Sequence, residues 1–275
     1  MTTVTAKVIA DSISEFGKRI ITFQLRYPRI VHAQLMTHRM FSRNASSSRA
    51  VPSERLIQEV LDDPYVPRME HEQKGMQTAG PLGVADEVLA YSAWFTARDA
   101  AVTQARKLIG LGVHHDSVNR LLEPFGHIHV IVTATEYGNF YNLRQDSHAH
   151  YLMRMLSTEM LIAANNSKPK HVAVGEWHLP YVTETEWTAL TTAECKAVSV
   201  ARCARISYAM HDGSAPVVGD DLVLHEKLKT NLHMSAFEHQ ATPIYADAVS
   251  ANFIGWRQYR REIPNENRPK FDGLK

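Results

Sequence analysis

The stretch that most constrains this chain is Thr37-His38-Arg39-Met40-Phe41-Ser42-Arg43-Asn44-Ala45-Ser46-Ser47-Ser48-Arg49. Three arginines, a histidine, an asparagine and five hydroxyl side chains crowd into thirteen residues, directly after an apolar segment, 30–36, with helix-like spacing. The chain must bury that apolar segment yet keep the polar run at a surface or cleft, because unpaired charges are costly to remove from water. Hydroxyls and backbone amides in a Ser-rich turn make a concave donor surface suited to phosphate. Arg39, Arg43 and Arg49 add fixed charge and forked donors that grip phosphate or a carbonyl edge. The run reads as an anion site with a nucleotide as the expected ligand; the plainer alternative is a solvated polar loop.

The remaining pattern predicts an α+β fold, a mixed or antiparallel sheet with long helices. Residues 4–9 and 19–26 have the alternating or β-branched content of strands and flank a Ser/Gly turn, so they should pair antiparallel. Helices are expected over 30–37, 52–61, 85–108, 117–122, 137–143, 149–164, 184–201 and 221–230, with a strand over 127–133. On the helix over 85–108, Val88, Leu89, Ala93, Trp94 and Phe95 form the apolar side. Residues 63–83, rich in Pro, Gly, Gln and Glu, read as a long surface excursion, and a lid over a substrate is one role for such a loop. The polar crossing over 165–180 is the best candidate for an internal boundary within a single catalytic domain, 1–275.

Composition narrows the function by exclusion. A chain of 275 residues, 44% hydrophobic, can bury a substantial core. A formal charge of +1 supplies no global field toward nucleic acid or a membrane, so an anionic ligand must be held by local arginines. Two cysteines, Cys195 and Cys203, fit a reducing compartment rather than a disulfide framework. No signal-like opening and no spanning apolar run is visible, and the expected location is cytoplasmic.

Several blocks together resemble the flavin-dependent thymidylate synthases, the ThyX family. In the polar run His38, Arg39, Ser42, Asn44, Ser47 and Arg49 fall on that family's signature RHRxxSxNExSxRY, and Gln34 matches a glutamine three residues ahead of the triplet. Thr37, Ala45 and Ala50 depart from it, standing where arginine, glutamate and tyrosine are usual. Asn139-Phe140-Tyr141-Asn142-Leu143-Arg144, followed by Asp146-Ser147-His148-Ala149-His150, resembles the N-F-L-x-L-R…S-H-A-Q stretch. Cys203-Ala204-Arg205-Ile206-Ser207-Tyr208 resembles the ARVSY-type block, and His233-Met234-Ser235-Ala236-Phe237-Glu238-His239 resembles H-x-[ST]-P-F-E-H, with Ala236 for the proline. Those two blocks usually precede the arginine motif and here follow it. The chain therefore resembles a circularly permuted member, a change that nearby chain ends make tolerable.

The resemblance implies FAD as cofactor, methylenetetrahydrofolate and NADPH as co-substrates, and dUMP methylated at C5 to dTMP. It also implies a homotetramer in which the serine-arginine loop reaches a neighbouring subunit's site. It divides the domain into a nucleotide-loop and helical part, 1–165, and an FAD-binding part, 181–275. Arg144, Arg39 and His233 are the implied catalytic residues. His38, Arg39, Asn139, Ser207, His233, Ser235 and Glu238 are the implied FAD contacts. Gln34, Ser47, Ser48, Arg49, Arg120 and Arg144 are the implied dUMP contacts, with Arg49 on the phosphate and Arg144 at the pyrimidine. Taken singly, Arg144 also fits a helix-end arginine capping carbonyls, and Arg120 a surface residue. No enzyme thiol attacks the pyrimidine in such enzymes, in keeping with Cys195 in a predicted helix and Cys203 in an apolar block.

Other readings stay open. The losses at Thr37 and Ala45 leave room for dCMP, for hydroxymethyl transfer, or for a non-catalytic flavin or nucleotide binder. Arg43, Arg257, Arg260 or Arg261 would be the sources of the charge missing at Thr37. Fifteen histidines, with His114-His115, His127-x-His129 and His148-x-His150, raise a metal hydrolase, but no carboxylate cluster or HExxH signature completes such a site. The run 256–261, basic with interleaved aromatics, reads as a helix at a subunit interface or over the active site rather than as a nucleic-acid surface.

Overall fold

A computed structural model describes residues 4–206 and 216–267. Two ten-residue strands, β1 (Thr5–Ser14) and β2 (Arg19–Pro28), form the expected antiparallel hairpin. Its turn is closed by Gly17 at φ 77°, a left-handed position that glycine adopts without a Cβ clash. There follow α1 (His32–Met36), β3 (Ser42–Ala45), α2 (Ser53–Asp62), α3 (Val84–Gly110) and α4 (His115–Val118). Next come β4 (His127–Ala134), α5 (Gly138–Arg144), α6 (Tyr151–Asn166) and β5 (Lys170–Val172). The described residues form a five-stranded sheet ordered β3-β4-β2-β1-β5. All its pairings are antiparallel except β1 with β5, so the sheet is mixed. Phe23, Leu25 and Tyr27 of β2, Val130 and Val132 of β4, and Leu152, Leu156 and Met160 of α6 meet in the main core.

The chain continues through α7 (Glu184–Ala189), α8 (Thr192–Arg205) and α9 (Val218–Thr230). It ends in short strands: β6 (Ala241–Pro243), β7 (Val249–Ser250), β8 (Phe253–Ile254) and β9 (Trp256–Gln258), paired β6 with β9 and β7 with β8. This part is fastened to the sheet. Cys203 and Ile206 pack on Ile131 of β4, Asn44 Nδ2 donates to the Cys203 carbonyl at 3.2 Å, and His239 Nδ1 lies 2.8 Å from Thr133 Oγ1.

The structure corrects several expectations. The helix expected over 184–201 is two helices, because Thr183 and Thr191 each close a capping box with the glutamate three residues on, Glu186 and Glu194. The run 256–261 is not a helix. It is β9 followed by a 3-10 turn, Tyr259–Glu262, and buried Trp256 and Gln258 alternate with exposed Arg257 as period-two geometry requires. In α3, Val88 and Leu89 are 62% and 67% exposed, whereas Trp94 packs on the core and Val102 and Ala105 are buried, so this chain leaves the first turns of the helix open and covers it from about Trp94 onward. The crossing over 165–180 contains β5, hydrogen-bonded beside β1. The excursion over 63–83 is tethered rather than free. Trp94 Nε1 donates to the Tyr65 carbonyl at 2.9 Å, the Tyr65 and Tyr151 hydroxyls meet at 2.9 Å, and Gln77 Nε2 donates to the His148 carbonyl at 2.8 Å.

Candidate active site

After α1 the chain reverses through Thr37–Phe41 into β3, because Thr37 and His38 close the helix with backbone bonds to Gln34 and Leu35. This turn and α5 line a cavity of about 190 Å³, to which α5 and its approach contribute Glu136, Asn139, Phe140, Leu143 and Arg144. Arg144, the last residue of α5, reaches back across the cavity wall. Its Nε donates to His38 Nε2 at 2.9 Å, and its Nη2 lies 3.3 Å from both the Gln34 carbonyl and Thr37 Oγ1. His38 Nε2 must therefore be an unprotonated acceptor. Burial first, then the charges of Arg144 and Arg43, holds this imidazole down to about 4. The ring sits edge-on to Phe140 with centroids 4.9 Å apart and is tilted against Phe41. Arg43 secures the turn by donating to the carbonyls of Met36 and His38 at 2.8 and 3.1 Å. Arg39 and Asn139 are exposed on the same cavity, and neither side chain has a partner among the described residues. The structure thus brings Gln34, His38, Arg39, Asn139 and Arg144 together.

Ser47, Ser48, Arg49 and Arg120 gather elsewhere. Beyond β3, Ser47 Oγ accepts from the Arg49 amide at 3.3 Å, and buried Ser48 donates to Glu123 Oε1 at 2.6 Å. Asn119 staples the bend with Nδ2 bonds to the carbonyls of Ser48 and Val51, at 2.7 and 2.8 Å. Arg49 and Arg120 converge on one oxygen of Asp116, at 3.3 and 3.4 Å, and Arg120 and Arg29 approach Glu123 at 3.0 and 3.6 Å. Ser46, Ser47 and Ser48 also wall a second cavity of about 310 Å³, shared with Arg26, Arg29, His127 and His129. None of these serines, nor Arg49 or Arg120, lines the first cavity. The residues expected to hold one nucleotide therefore fall into two groups on a single chain. Asp116, Glu123 and Asn119, which organise the second group, carried no sequence signal beyond their closeness to Arg120.

A third group flanks β3. The 3-10 turn Met234–Glu238 packs on that strand, with His233 and Ser235 exposed. Glu238 is paired with Arg260, which also pairs with Glu266. Gln258 Nε2 bridges Ser42 Oγ at 3.1 Å, the Glu238 carbonyl at 3.3 Å and Asn252 Oδ1 at 3.0 Å. Gln258, Asn252 and Arg260 were not anticipated in these roles, since only folding brings them beside Ser42 and Glu238. Arg260 and Arg261 are both engaged by Glu266. Ser207 lies outside the described residues.

Cys195 and Cys203 are buried free thiols whose pKa burial raises, so neither is a thiolate near neutral pH. No group of three or more metal-ligating side chains gathers among the described residues, and no helix among them is long and apolar enough to cross a membrane.

The sequence matches the family described as thymidylate synthase complementing protein over residues 11–170, more than half of the chain. Among solved structures it is similar to a UMP/dUMP methylase, PolB, from Streptomyces cacaoi. The form bound with 5-Br UMP is 15% identical with a TM-score of 0.46, covering 59% of this chain and 89% of that one. The form bound with 5-Br dUMP is 16% identical with a TM-score of 0.45, covering 58% and 89%. Among curated proteins none matches the sequence.

Proposed function

Since the chain belongs to the thymidylate synthase complementing protein family, the flavin-dependent thymidylate synthases, we propose that it methylates dUMP at C5, with methylenetetrahydrofolate as one-carbon donor and NADPH as reductant. The observation that carries this reading is the cavity between the Thr37–Phe41 turn and α5, where the matched stretch gathers Arg144, Arg39 and Asn139. Its wall suits an isoalloxazine: Met40 and Leu143 offer exposed apolar surface over the buried rings of Phe41 and Phe140, and Arg39 and Asn139 expose polar ends. His233 and Ser235, exposed beside β3, complete a donor set that fits FAD. When bound, the flavin supplies the redox chemistry and the carrier for the one-carbon unit. Arg144 polarises a pyrimidine carbonyl, which draws electron density and makes the ring responsive at C5. Arg49, Arg120 and Ser47 hold the phosphate, whose charge outcompetes the Asp116 carboxylate for two arginines. The two buried thiols support a route without an enzyme cysteine nucleophile.

Two copies of the chain are needed for one site in this reading, because the phosphate and pyrimidine groups lie on different cavities of a single chain. The homotetramer expected from the sequence supplies that arrangement. The blocks at 203–208 and 233–239 serve the same site from a permuted position, as the contacts of Cys203 with Asn44 and of His239 with Thr133 support. The chain then forms one catalytic unit.

An anaerobic visible spectrum of the purified protein, followed by turnover with reductant, methylenetetrahydrofolate and either dUMP or dCMP, tests the reading. Flavin absorbance with dTMP formed from dUMP is the expected result. A colourless protein that FAD cannot reconstitute would overturn it, and a product formed only from dCMP would reassign the base.

A further inference from the structure

Thr37 is the most consequential departure from the arginine-histidine-arginine signature, and its hydroxyl is fully engaged. It donates to the Gln34 carbonyl at 2.7 Å, which leaves its oxygen to accept from Arg144 Nη2 at 3.3 Å. The same Nη2 lies 3.3 Å from the Gln34 carbonyl, and Arg144 Nε donates to His38 Nε2 at 2.9 Å. A guanidinium carries five N–H donors in one plane. Here the edge formed by Nε and Nη2 is tied to α1 and its turn, while Nη1 has no partner among the described residues and Arg144 lines the cavity.

Resting on the reading of this cavity as the pyrimidine site, we propose that Thr37 is a positioning residue which, together with His38, holds Arg144 by one edge so that Nη1 alone addresses a carbonyl oxygen of the substrate base. An arginine at position 37 has no acceptor to offer a second guanidinium and would repel it. Threonine therefore exchanges a second cation for an anchor on the first. The ligand class follows: a pyrimidine carbonyl, the acceptor that uracil carries twice and cytosine once. Because the phosphate is gripped at a separate corner by Arg49 and Arg120, the anchor acts on the reacting base rather than on overall affinity.

The test uses Thr37→Ser, which keeps the hydroxyl, and Thr37→Val, which keeps the shape and removes it. T37S is expected within about threefold of wild type, whereas T37V lowers kcat on dUMP by about tenfold or more with KM moved less than about threefold. In an Arg144→Lys background, T37V adds less than about twofold, because the edge it served is gone. A T37V enzyme with wild-type kcat, or one that loses as much in the lysine background as in the native one, would overturn the proposal. A second readout is independent of turnover. The Arg144 Nη2–H resonances, assigned by their loss in R144K, should exchange more slowly in wild type and T37S than in T37V, because Nη2 is the donor whose hydrogen Thr37 Oγ1 accepts. A chain inactive on every pyrimidine nucleotide would sink the functional reading, while this exchange rate would still decide the positioning claim.

Discussion

His178 and His239 are fully buried in a relay of hydroxyls. Ser12 Oγ lies 2.8 Å from His178 Nδ1, Thr22 Oγ1 lies 2.9 Å from His178 Nε2 and 2.7 Å from Thr133 Oγ1, and Thr133 Oγ1 lies 2.8 Å from His239 Nδ1. Burial, the dominant cause for each, pushes both imidazoles down to about 3. The folded state therefore keeps them neutral where the unfolded chain, near 6.5, takes up protons. More protons bind the unfolded chain in that window, so stability falls as pH drops from about 6.5 toward 3, by up to about 1.4 kcal/mol per pH unit per histidine. In urea unfolding at pH 7.5, 6.5 and 5.5, these two residues should remove about 0.7 kcal/mol across the first step and about 2 kcal/mol across the second. Replacing His239 with Gln should remove about 1 kcal/mol of that second step. A profile equally flat across both steps would contradict neutral burial. Neither histidine belongs to a metal-like spacing, and their burial marks them as parts of the scaffold joining the C-terminal segment to β2 and β4.

At the scale of elements, the junction of α7, α8 and α9 rests on one ionic lattice. Arg202 Nε donates to Asp221 Oδ2 at 2.9 Å, and its Nη1 donates to the Tyr181 carbonyl at 2.8 Å and to Glu186 Oε2 at 2.9 Å. Arg205 grips the other oxygen of Asp221. The Arg202 hydrogen bonds, with the amide and hydroxyl of Thr183, hold the Glu186 carboxyl down to about 2. Tyr181, at φ 64°, accepts a left-handed backbone while its hydroxyl donates to Gln24 Oε1 at 2.8 Å, so the lattice is keyed to β2. Asp221 has no exposed side-chain surface, and removing it leaves Arg202, itself buried, short of one counter-charge. Asp221→Ala is expected to cost about 3–5 kcal/mol in denaturant unfolding, far above a surface ion pair. A loss near 0.5 kcal/mol would mean that the arginines find other partners at little cost.

At the scale of the molecule, the two groups expected to grip one nucleotide lie apart on each chain, and α3 leaves Val84, Val88 and Leu89 exposed. Both features suit sites completed by a second copy. Arg144→Ala and Arg49→Ala disable different halves of such a site and should each abolish turnover alone. Co-expressed, the two variants should regain roughly a quarter of wild-type activity, since about that share of sites would draw both intact halves. If every site lay within one chain, the mixture would stay as inactive as its parts.

The hairpin, the α+β class and most helices were legible because local periodicity and capping chemistry belong to short windows of sequence. The polar run at 37–49 was legible as a surface turn after a short helix for the same reason, its reading as an anion site stays a proposal, and the block ending at Arg144 was legible through resemblance. The capping boxes at Thr183 and Thr191 were equally visible and would have divided the helix over 184–201. Tertiary structure alone decided that Arg144 closes on His38 across 106 residues, and that Arg49 and Arg120 meet at Asp116. It also decided that Gln258 bridges Ser42 to Glu238, and that Val84, Val88 and Leu89 in the first turns of α3 stay exposed. Such contacts depend on how sheet and helices pack over long sequence separations, which no local pattern of apolar and polar residues encodes. The chemistry of the site was written in residue types, and its geometry was set by the packing that brings them together.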